Sequence, residues 1–384
     1  MKFADALAAP GFGAIAEFKR RSPSAGDLRP AGDVASVARA YERAGARAMS
    51  VLVDERFAGA WEDLRAAREA CPTLPLLAKG FFSSDDDLRT AALAGADAAL
   101  LLLCDLDDAE CARLMREASS LGLDTLVEAH DAEELDRAIA LGAPVIGINA
   151  RDLSTFEIDR REQLSLVARA PRDRIVVAES GIHTRAQGAA AELAGATAML
   201  VGSSLMRAAD PGAKLAELLS RPLVKVCGLT RQEDVDVAVE AGADLVGFIL
   251  AQESPRRRDA LLAAPDTVLR VAVFVGTTEE TGADLVQLYA HEDGHRARDG
   301  VLLRDGERVA TVVDLPWEQG DPVHLDRARA QEGRVMLAGG LGPENVRAAI
   351  DFVHPWAVDS ARSTEHAPGI KDHEAVRAWI EAAR

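Results

Sequence analysis

Short apolar runs recur along the chain, each ending in a charged, polar or glycine residue and each followed by an alanine-rich stretch with helical periodicity. Strands that alternate with helices in this way pair in parallel, and eight of them close into a barrel. We therefore predict a (β/α)8 TIM barrel over residues 1–221. Its strands are expected near residues 14–19, 47–53, 75–79, 97–103, 124–128, 145–149, 174–179 and 197–202.

The same pattern restarts at PLVKVCGLT (222–230) without a flexible linker. Asp305-Gly306 lies between two apolar runs, which is typical of a hairpin, where a parallel barrel would have a helix. The predicted fold class is α/β, with two consecutive (β/α)8 TIM barrels, the second over residues 222–384 and shortened and irregular around 290–330. Its strands are expected near residues 222–227, 244–250, 268–275, 284–288, 308–314, 322–326, 334–339 and 355–359.

Composition narrows the class of partner. The formal net charge of −18 disfavours nucleic acid and anionic membranes, although an acidic protein can still bind a small phosphate ester locally. The longest apolar run, near residues 96–104, is far shorter than the ~20 residues of a membrane helix, and no secretory signal is expected. Four cysteines show no metal-type spacing. We expect a cytoplasmic monomer without metal or cofactor that acts on small phosphorylated molecules.

Charged and polar side chains follow the predicted strands of the first half. Because a parallel barrel gathers its strand ends at one mouth, we expect these side chains to converge there. A single lysine in such a place could merely pair with a helix carboxylate, but several buried charges must be paired or functional. A lysine that loses basicity beside other cations can act as an acid near neutral pH. The converging residues are Glu17, Lys19, Lys79, Glu128, Asn149, Glu179 and Ser180.

Several motifs of the first half together resemble one enzyme family. They are AEFKRRSPSAG, the lysine after the third strand, LVEAHD, GINARDL, AESGI and VGSSLM. Over residues 4–208 they resemble indole-3-glycerol-phosphate synthase of tryptophan biosynthesis. That family closes the pyrrole ring of 1-(2-carboxyphenylamino)-1-deoxyribulose 5-phosphate, with release of carbon dioxide and water. The chain departs from the family at Gly80, where an aspartate is usual.

The resemblance assigns roles to the residues at the strand ends. Lys79 would be the general acid that protonates the ketose oxygen, and Lys19 would hold the substrate carboxylate. Glu128 and Glu17 would handle protons during dehydration. Substrate or catalytic groups would be oriented by Asn149, Arg151, Glu179 and Ser180. The phosphate would be held by Ser22, Gly181, Gly202 and Ser203.

The second half resembles phosphoribosylanthranilate isomerase. The resemblance rests on VKVCGLTRQEDVDVAVEAGADLVGFIL (224–250), SPR (254–256), LAGGLGPENVRAAI (337–350) and AVDSARSTEHAPGIKDH (357–373). That family converts an aminoaldose to an aminoketose, which requires an acid and a base. The resemblance implies that Cys227 is the base, as a thiolate, and that Arg256 contacts the substrate carboxylate. The phosphate would be bordered by Gly339, Gly340, Ser360 and Ser363.

The acid of the second half is less clear from the sequence. VHLD offers Asp326, which we take as the acid, while Asp314 at the end of VATVVD is a rival. The family's glycine-rich loop and FDW motif are missing here, and its QLHG is altered to QLYA. We predict a bifunctional enzyme of tryptophan biosynthesis. The alternatives are a monofunctional synthase with a degenerate, structural C-terminal barrel, and an isomerase of related sugar phosphates.

Overall fold

The structure is a computed structural model that describes residues 2–22, 26–152, 155–292, 295–315 and 321–384. Residues 23–25 of the AEFKRRSPSAG motif and Leu153 of GINARDL therefore lie outside the described residues. The chain divides into two compact units, Met1–His183 with Gly188–Leu219, and Thr184–Gln187 with Ser220–Arg384. Each unit contains one closed eight-stranded barrel.

The barrel of the first half is all parallel. Its first strand pairs with both the second and the eighth, which closes the sheet. All eight strands predicted for this half are confirmed. They are β1 (Gly13–Phe18), β2 (Ala48–Leu52), β3 (Leu76–Lys79), β4 (Ala98–Leu102), β5 (Asp124–Ala129), β6 (Val145–Asn149), β7 (Ile175–Glu179) and β8 (Ala198–Val201).

Several helices of the first half begin at a side-chain cap. Ser84 and Asp87 form a capping box at one helix, and Asp33 accepts a hydrogen bond from the backbone N–H of Ser36 at another. The helices are α1 (Phe3–Leu7), α2 (Val34–Arg43), α3 (Trp61–Ala70), α4 (Asp85–Leu93), α5 (Asp108–Ser120), α6 (Ala132–Ala140), α7 (Arg160–Arg169), α8 (Arg185–Ala194), α9 (Ser203–Arg207) and α10 (Pro211–Leu219).

The apolar core of this half has two layers, one between strands and helices and one inside the barrel. Phe3 and Leu7 of α1 belong to the inner layer, together with strand residues such as Leu77 and Val145. The backbone N–H of Ala4 donates to the side chain of Asp124, at the start of β5. Helix α1 therefore closes the end of the barrel where the strands begin, which leaves the opposite mouth for chemistry.

The second barrel also has eight strands, but β12–β13 and β13–β14 pair antiparallel. The predicted hairpin is confirmed, because Asp305 and Gly306 join β13 to β14 with φ angles of 50° and 81°. The strands are β9 (Leu223–Val226), β10 (Leu245–Ile249), β11 (Leu269–Val275), β12 (Leu285–Glu292), β13 (His295–Arg304), β14 (Glu307–Val313), β15 (Val335–Leu337) and β16 (Ala357–Ser360).

One strand of this half was predicted in the wrong place. Residues 322–326 do not form a strand, because His324–Arg329 is a helix whose first turn is held by Asp321. The strand that was not predicted is β13, because its arginines and aspartate interrupt the alternation of apolar and polar residues. The helices of this half are α11 (Gln232–Ala241), α12 (His324–Arg329), α13 (Val346–Val353) and α14 (His373–Ala383). A short antiparallel ladder pairs Glu365–Ala367 with Ile370–Lys371.

The predicted fold class is thus confirmed, with a first barrel that is wholly parallel and a second that is mixed. Within the described ranges, no helix combines the length and the apolar character that crossing a bilayer requires.

Candidate active sites

The mouth of the first barrel brings one lysine together with three carboxylates. Lys79 Nζ, at the end of β3, lies 2.5 Å from Glu179 Oε2, 3.4 Å from Glu128 Oε2 and 3.7 Å from Glu17 Oε2. The three glutamates come from β7, β5 and β1 and are buried, whereas the lysine side chain keeps 14% of its surface exposed. The ammonium of Lys79 therefore faces a pocket, and the three buried carboxylates hold it in place.

Two further predicted residues complete this cluster. Lys19 Nζ lies 2.6 Å from Glu17 Oε1. The amide nitrogen of Asn149, at the end of β6, donates to Glu128 Oε1 at 2.8 Å. Gly202 leaves room for these charges, since a Cβ atom there would lie 2.2 Å from Glu17 Oε1. The sequence pattern thus located all these groups at one site.

Burial and charge divide the three carboxylates into different states. Burial raises the pKa of Glu17 and of Glu128, but the neighbouring cations outweigh it, so both pKa values fall below the ordinary value. For Glu179, burial and the neighbouring Glu128 outweigh Lys79 and raise the pKa to about 8. Of the three carboxylates, Glu179 is therefore the first to be protonated as the pH falls.

The expectation that a lysine here loses basicity is wrong for Lys79. Burial lowers the pKa of Lys79, but Glu179, Glu128 and Glu17 outweigh burial and raise it above the ordinary value. The reason is spatial, because the neighbours of this ammonium are carboxylates rather than cations. Lys79 is accordingly held in its charged form.

His130 belongs to this cluster although the sequence reasoning did not include it. Its Nε2 lies 3.2 Å from Glu128 Oε1, and its Nδ1 lies 3.0 Å from Glu134 Oε2. Burial lowers the pKa of His130, but the two carboxylates outweigh burial and raise it to about 10. The available signal was LVEAHD itself, where the histidine follows the end of β5 and Glu134 comes one helical turn later.

A possible metal-ligand group lies beside this histidine. Among the described residues, ligand atoms of Cys104, His130 and Glu134 lie within 4.8 Å of one another. Within this group, His130 and Glu134 already form an ion pair with each other.

The pocket over Lys79 is lined by both apolar and polar residues. Aromatic and leucine side chains make up most of the apolar lining, and Arg151 is among the polar residues. Ser180 and Gly181 follow β7 with φ angles of 68° and 69°. Such a turn presents backbone N–H groups to an anion. The residues predicted to hold the phosphate, Ser22, Gly181, Gly202 and Ser203, all line this pocket, as does Ser180.

In the second barrel, Cys227 lies above a buried lysine. Lys225 Nζ contacts Cys227 Sγ at 3.2 Å and donates to Gln287 Oε1 at 2.7 Å and Asp359 Oδ2 at 2.9 Å. Burial raises the pKa of Cys227, an effect that Lys225 opposes and Asp359 supports. The sequence reasoning named Cys227 but not the other three. Lys225 and Cys227 are two residues apart and so project from the same face of the chain.

Hydrogen bonds connect this group to the rival acid. Gln287 Nε2 donates to the hydroxyl of Tyr289 at 2.6 Å, and that hydroxyl donates to Asp314 Oδ2 at 2.9 Å. Arg296, from the antiparallel strand β13, donates to the same oxygen at 2.9 Å and stacks over the Tyr289 ring. Asp314 directly follows β14 and therefore lies at the mouth.

The placement of Asp326 at a strand end is wrong. It lies within helix α12, where its side chain is exposed. The helix forms because Asp321 holds its first turn and because Leu325 and Ala328 repeat at helical spacing on the packed side. Asp314 is thus the aspartate that the fold brings to the mouth.

Of the remaining predicted residues of the second barrel, Arg256, Ser360 and Ser363 already have polar partners. Arg256 forms a two-pronged ion pair with Glu365, at 2.7 and 2.8 Å, and Lys371 donates to the same carboxylate at 3.0 Å. Ser360 and Ser363 both donate to the carbonyl of Leu341. Gly339 and Gly340, with φ angles of 84° and 67°, follow β15. Like Ser360, they follow or end one of the last two strands of this barrel.

Two closed barrels that each gather charged and polar side chains at one mouth define an enzyme of the TIM-barrel class. The family model of indole-3-glycerol phosphate synthase matches residues 1–218, and that of N-(5'-phosphoribosyl)anthranilate isomerase matches residues 293–382. The chain belongs to the family of bifunctional tryptophan biosynthesis proteins in which these two domains follow one another. Both resemblances inferred from the sequence are confirmed.

Curated relatives extend over nearly the whole chain. The tryptophan biosynthesis protein TrpCF of Yersinia pestis is 35% identical, with 96% of this chain and 84% of that protein covered. The multifunctional tryptophan biosynthesis proteins of Phycomyces blakesleeanus and Schizosaccharomyces pombe are 32% and 31% identical, again over 96% of this chain. This chain spans 62% and 59% of the length of those two proteins.

Proposed function

We propose that the chain catalyses two consecutive steps of tryptophan biosynthesis. The second half would isomerise N-(5-phosphoribosyl)anthranilate to 1-(2-carboxyphenylamino)-1-deoxyribulose 5-phosphate. The first half would close this product to indole-3-glycerol phosphate, with loss of carbon dioxide and water. The observation that carries the proposal is the Lys79 cluster, where one ammonium faces a half-apolar pocket and three buried carboxylates hold it.

In the first half, the substrate's aromatic ring would lie against the aromatic and leucine side chains that line the pocket. Its phosphate would lie at the turn formed by Ser180 and Gly181 and at the start of α9. Ring closure puts negative charge on the ketose oxygen, and the ammonium of Lys79 would donate a proton there. Lys19 and Arg151 would attract the substrate carboxylate. The low pKa values of Glu17 and Glu128 suit groups that accept a proton during dehydration.

Glu179 and Asn149 would position these groups. Glu179 holds Lys79 at 2.5 Å, and Asn149 holds Glu128 at 2.8 Å. A pKa of about 8 suits Glu179 for exchanging a proton with the lysine between turnovers.

In the second half, Cys227 would remove the proton from the second carbon of the sugar, and Asp314 would protonate the ring oxygen. Asp314 is favoured over Asp326 because it lies at the mouth and is joined to the Cys227 group through Tyr289 and Gln287. Arg256 would receive the substrate carboxylate by exchanging part of its pairing with Glu365. The phosphate would lie beside Gly339, Gly340, Ser360 and Ser363.

We further propose that the protein works in the cytoplasm as a monomer, with phosphorylated small molecules as its only ligands. The alternative is a synthase whose second barrel is structural, which the shortened sequence of that barrel favours.

The two activities should be assayed separately on the purified full chain, one substrate at a time, together with a Cys227→Ala variant. We expect both substrates to turn over and the variant to lose isomerisation while ring closure continues. Ring closure without isomerisation in the unaltered chain would instead support the structural role of the second barrel. Loss of both activities in a folded Cys227→Ala variant would contradict separate sites.

A further inference from the structure

Lys225 has the contacts of a group that acts on Cys227 rather than on a substrate. Its side chain is fully buried on β9, two residues before the cysteine. It is held there by Gln287 Oε1 and Asp359 Oδ2, from the strands β12 and β16. With no exposed surface, its ammonium cannot reach a bound ligand, but it lies 3.2 Å from Cys227 Sγ.

The neighbouring strand leaves room for both side chains. Gly247 lies on β10, where a Cβ atom would be 2.7 Å from Cys227 Sγ and 2.9 Å from Lys225 Cε. Any other residue at this position would push the sulfur and the ammonium out of their places. The glycine at position 247 therefore leaves the space in which Lys225 and Cys227 make their contact.

Charged and titratable groups approach the sulfur from several elements. Lys225 lies on the same strand, Asp359 on β16, and Lys371 on the short ladder near the C-terminus. Tyr289, on β12, is linked to the group through Gln287. Burial disfavours the thiolate most strongly, the two lysines favour it, and Asp359 disfavours it. Lys225 therefore has two acidic partners, the carboxyl group of Asp359 and the sulfur of Cys227.

We propose that Lys225 is a positioning residue that stabilises the thiolate of Cys227, and that Asp359 limits this effect by competing for the same ammonium. The inference rests on the proposed isomerase function of the second barrel, and it adds two residues to that site. The competing explanation is a purely structural ion pair that joins β9 to β16. A structural pair would affect folding when either partner is replaced, but it would give no opposite effects on the sulfur.

The test is the ionisation of Cys227 in Lys225→Met and in Asp359→Asn. Thiolate absorbance in the ultraviolet is followed against pH in the full chain, and the same titration of a matched Cys227→Ser variant is subtracted to remove the other cysteines. We expect Lys225→Met to raise the ionisation midpoint by about one pH unit or more, and Asp359→Asn to lower it. Shifts in the same direction, or no shift in either variant, would overturn the proposal.

Lys225→Met leaves Asp359 buried without its cation, which destabilises the fold. The double variant Lys225→Met/Asp359→Asn removes both charges and avoids that penalty. It should still raise the midpoint, because the cation is gone. A midpoint at or below that of the unaltered chain in this folded double variant would contradict the role of Lys225.

Isomerase kinetics provide the second readout. Lys225→Met should lower kcat at neutral pH by roughly ten-fold or more with a smaller change in KM, because the ammonium does not touch substrate. The loss should diminish at higher pH, where the thiolate forms without help. Lys214→Met, which removes a partly exposed lysine paired with Glu217 on α10, is the matched control and should change neither readout. If the ionisation shifts appear but the unaltered chain does not isomerise, the proposed function fails while the effect of Lys225 on the sulfur stands.

Discussion

Lys79 and Lys225 are both lysines on the inner faces of barrel strands, but they lie at different depths. Lys79 ends its strand and keeps 14% of its side chain exposed, whereas Lys225 lies within its strand and is fully buried. The first is surrounded by three carboxylates and faces a pocket. The second shares its charge between one carboxylate and one sulfur. Depth along the strand therefore decides whether such a cation can meet a substrate or acts only through a neighbour.

The two barrels differ in a second way that bears on the same point. The first is wholly parallel, whereas the second replaces part of its helical layer with the antiparallel strand β13. Both nevertheless close with eight strands. The second barrel thus has as many strands as the first, and the proposed acid Asp314 pairs with Arg296 of the antiparallel strand β13.

The largest expected effect is the loss of ring closure when Lys79 is replaced. Lys79→Ala should lower ring closure by about 10³-fold, because it removes the proposed general acid. Isomerisation should stay within about two-fold of the unaltered chain. Each activity is measured with its own substrate, and circular dichroism checks the fold. Equal loss of both activities in a folded variant would show that the two sites do not work independently.

The next effect concerns the two aspartates of the second barrel. Asp314→Asn should lower isomerisation by about 10²-fold, because its position at the mouth suits the proposed acid. Asp326→Asn should have little effect, since that side chain is exposed on α12. Steady-state kinetics of both variants decide between them. A greater loss in Asp326→Asn would contradict the assignment.

A smaller effect tests whether the hairpin stabilises the second barrel alone. Gly306→Ala should cost about 1–2 kcal/mol, because φ is +81° and no atom lies within 4 Å of the added methyl group. Gly122→Ala is the matched variant in the first barrel, with φ of +80° and equally open surroundings. Hydrogen exchange measured peptide by peptide should show each variant loosening its own barrel. The reverse pattern would argue against this assignment of stability.

The smallest effect is a pH dependence of the first barrel. The pKa of His130 is raised from 6.5 to about 10, so protonation stabilises the fold more than the unfolded chain. This stabilisation is complete below about pH 6.5 and disappears as the pH rises through about 10. His130→Gln should reduce that pH-dependent loss of thermal stability by about 1 kcal/mol. The exposed His366→Gln is the control. An unchanged slope in His130→Gln would contradict the role of the ion pairs.

The sequence predicted the first barrel and the convergence at its mouth because each strand there is a clean apolar run with a polar end. It predicted the hairpin at Asp305-Gly306 for a similarly local reason. It missed β13, since charges such as Arg296, Arg298 and Asp299 interrupt the alternation, and it misassigned 322–326 because a short helix with one packed side resembles a strand.

The pKa shifts of the site residues could not be predicted from the sequence. The direction of the Lys79 pKa shift depends on which groups surround the ammonium, and these come from three other strands. The contacts of Lys225 with Gln287 and Asp359 likewise join residues far apart in the sequence. The sequence does place His130 near the mouth, since it follows the strand that carries Glu128. Its residue type alone, however, does not distinguish a histidine in an ion pair from one exposed to solvent.

The antiparallel strand β13 also bears on how the second barrel assembles. β12, β13 and β14 pair with their neighbours in sequence, whereas β9 closes against β16 from the other end of the barrel. Short-range pairing costs less chain entropy and forms faster, so we expect this three-stranded meander to assemble early and the β9–β16 closure to come late. Cys227 follows one of the two closing strands and Asp359 lies on the other. The sulfur therefore becomes buried beside Lys225 only in the last stage of folding, so we expect the raised pKa of Cys227 to appear only then.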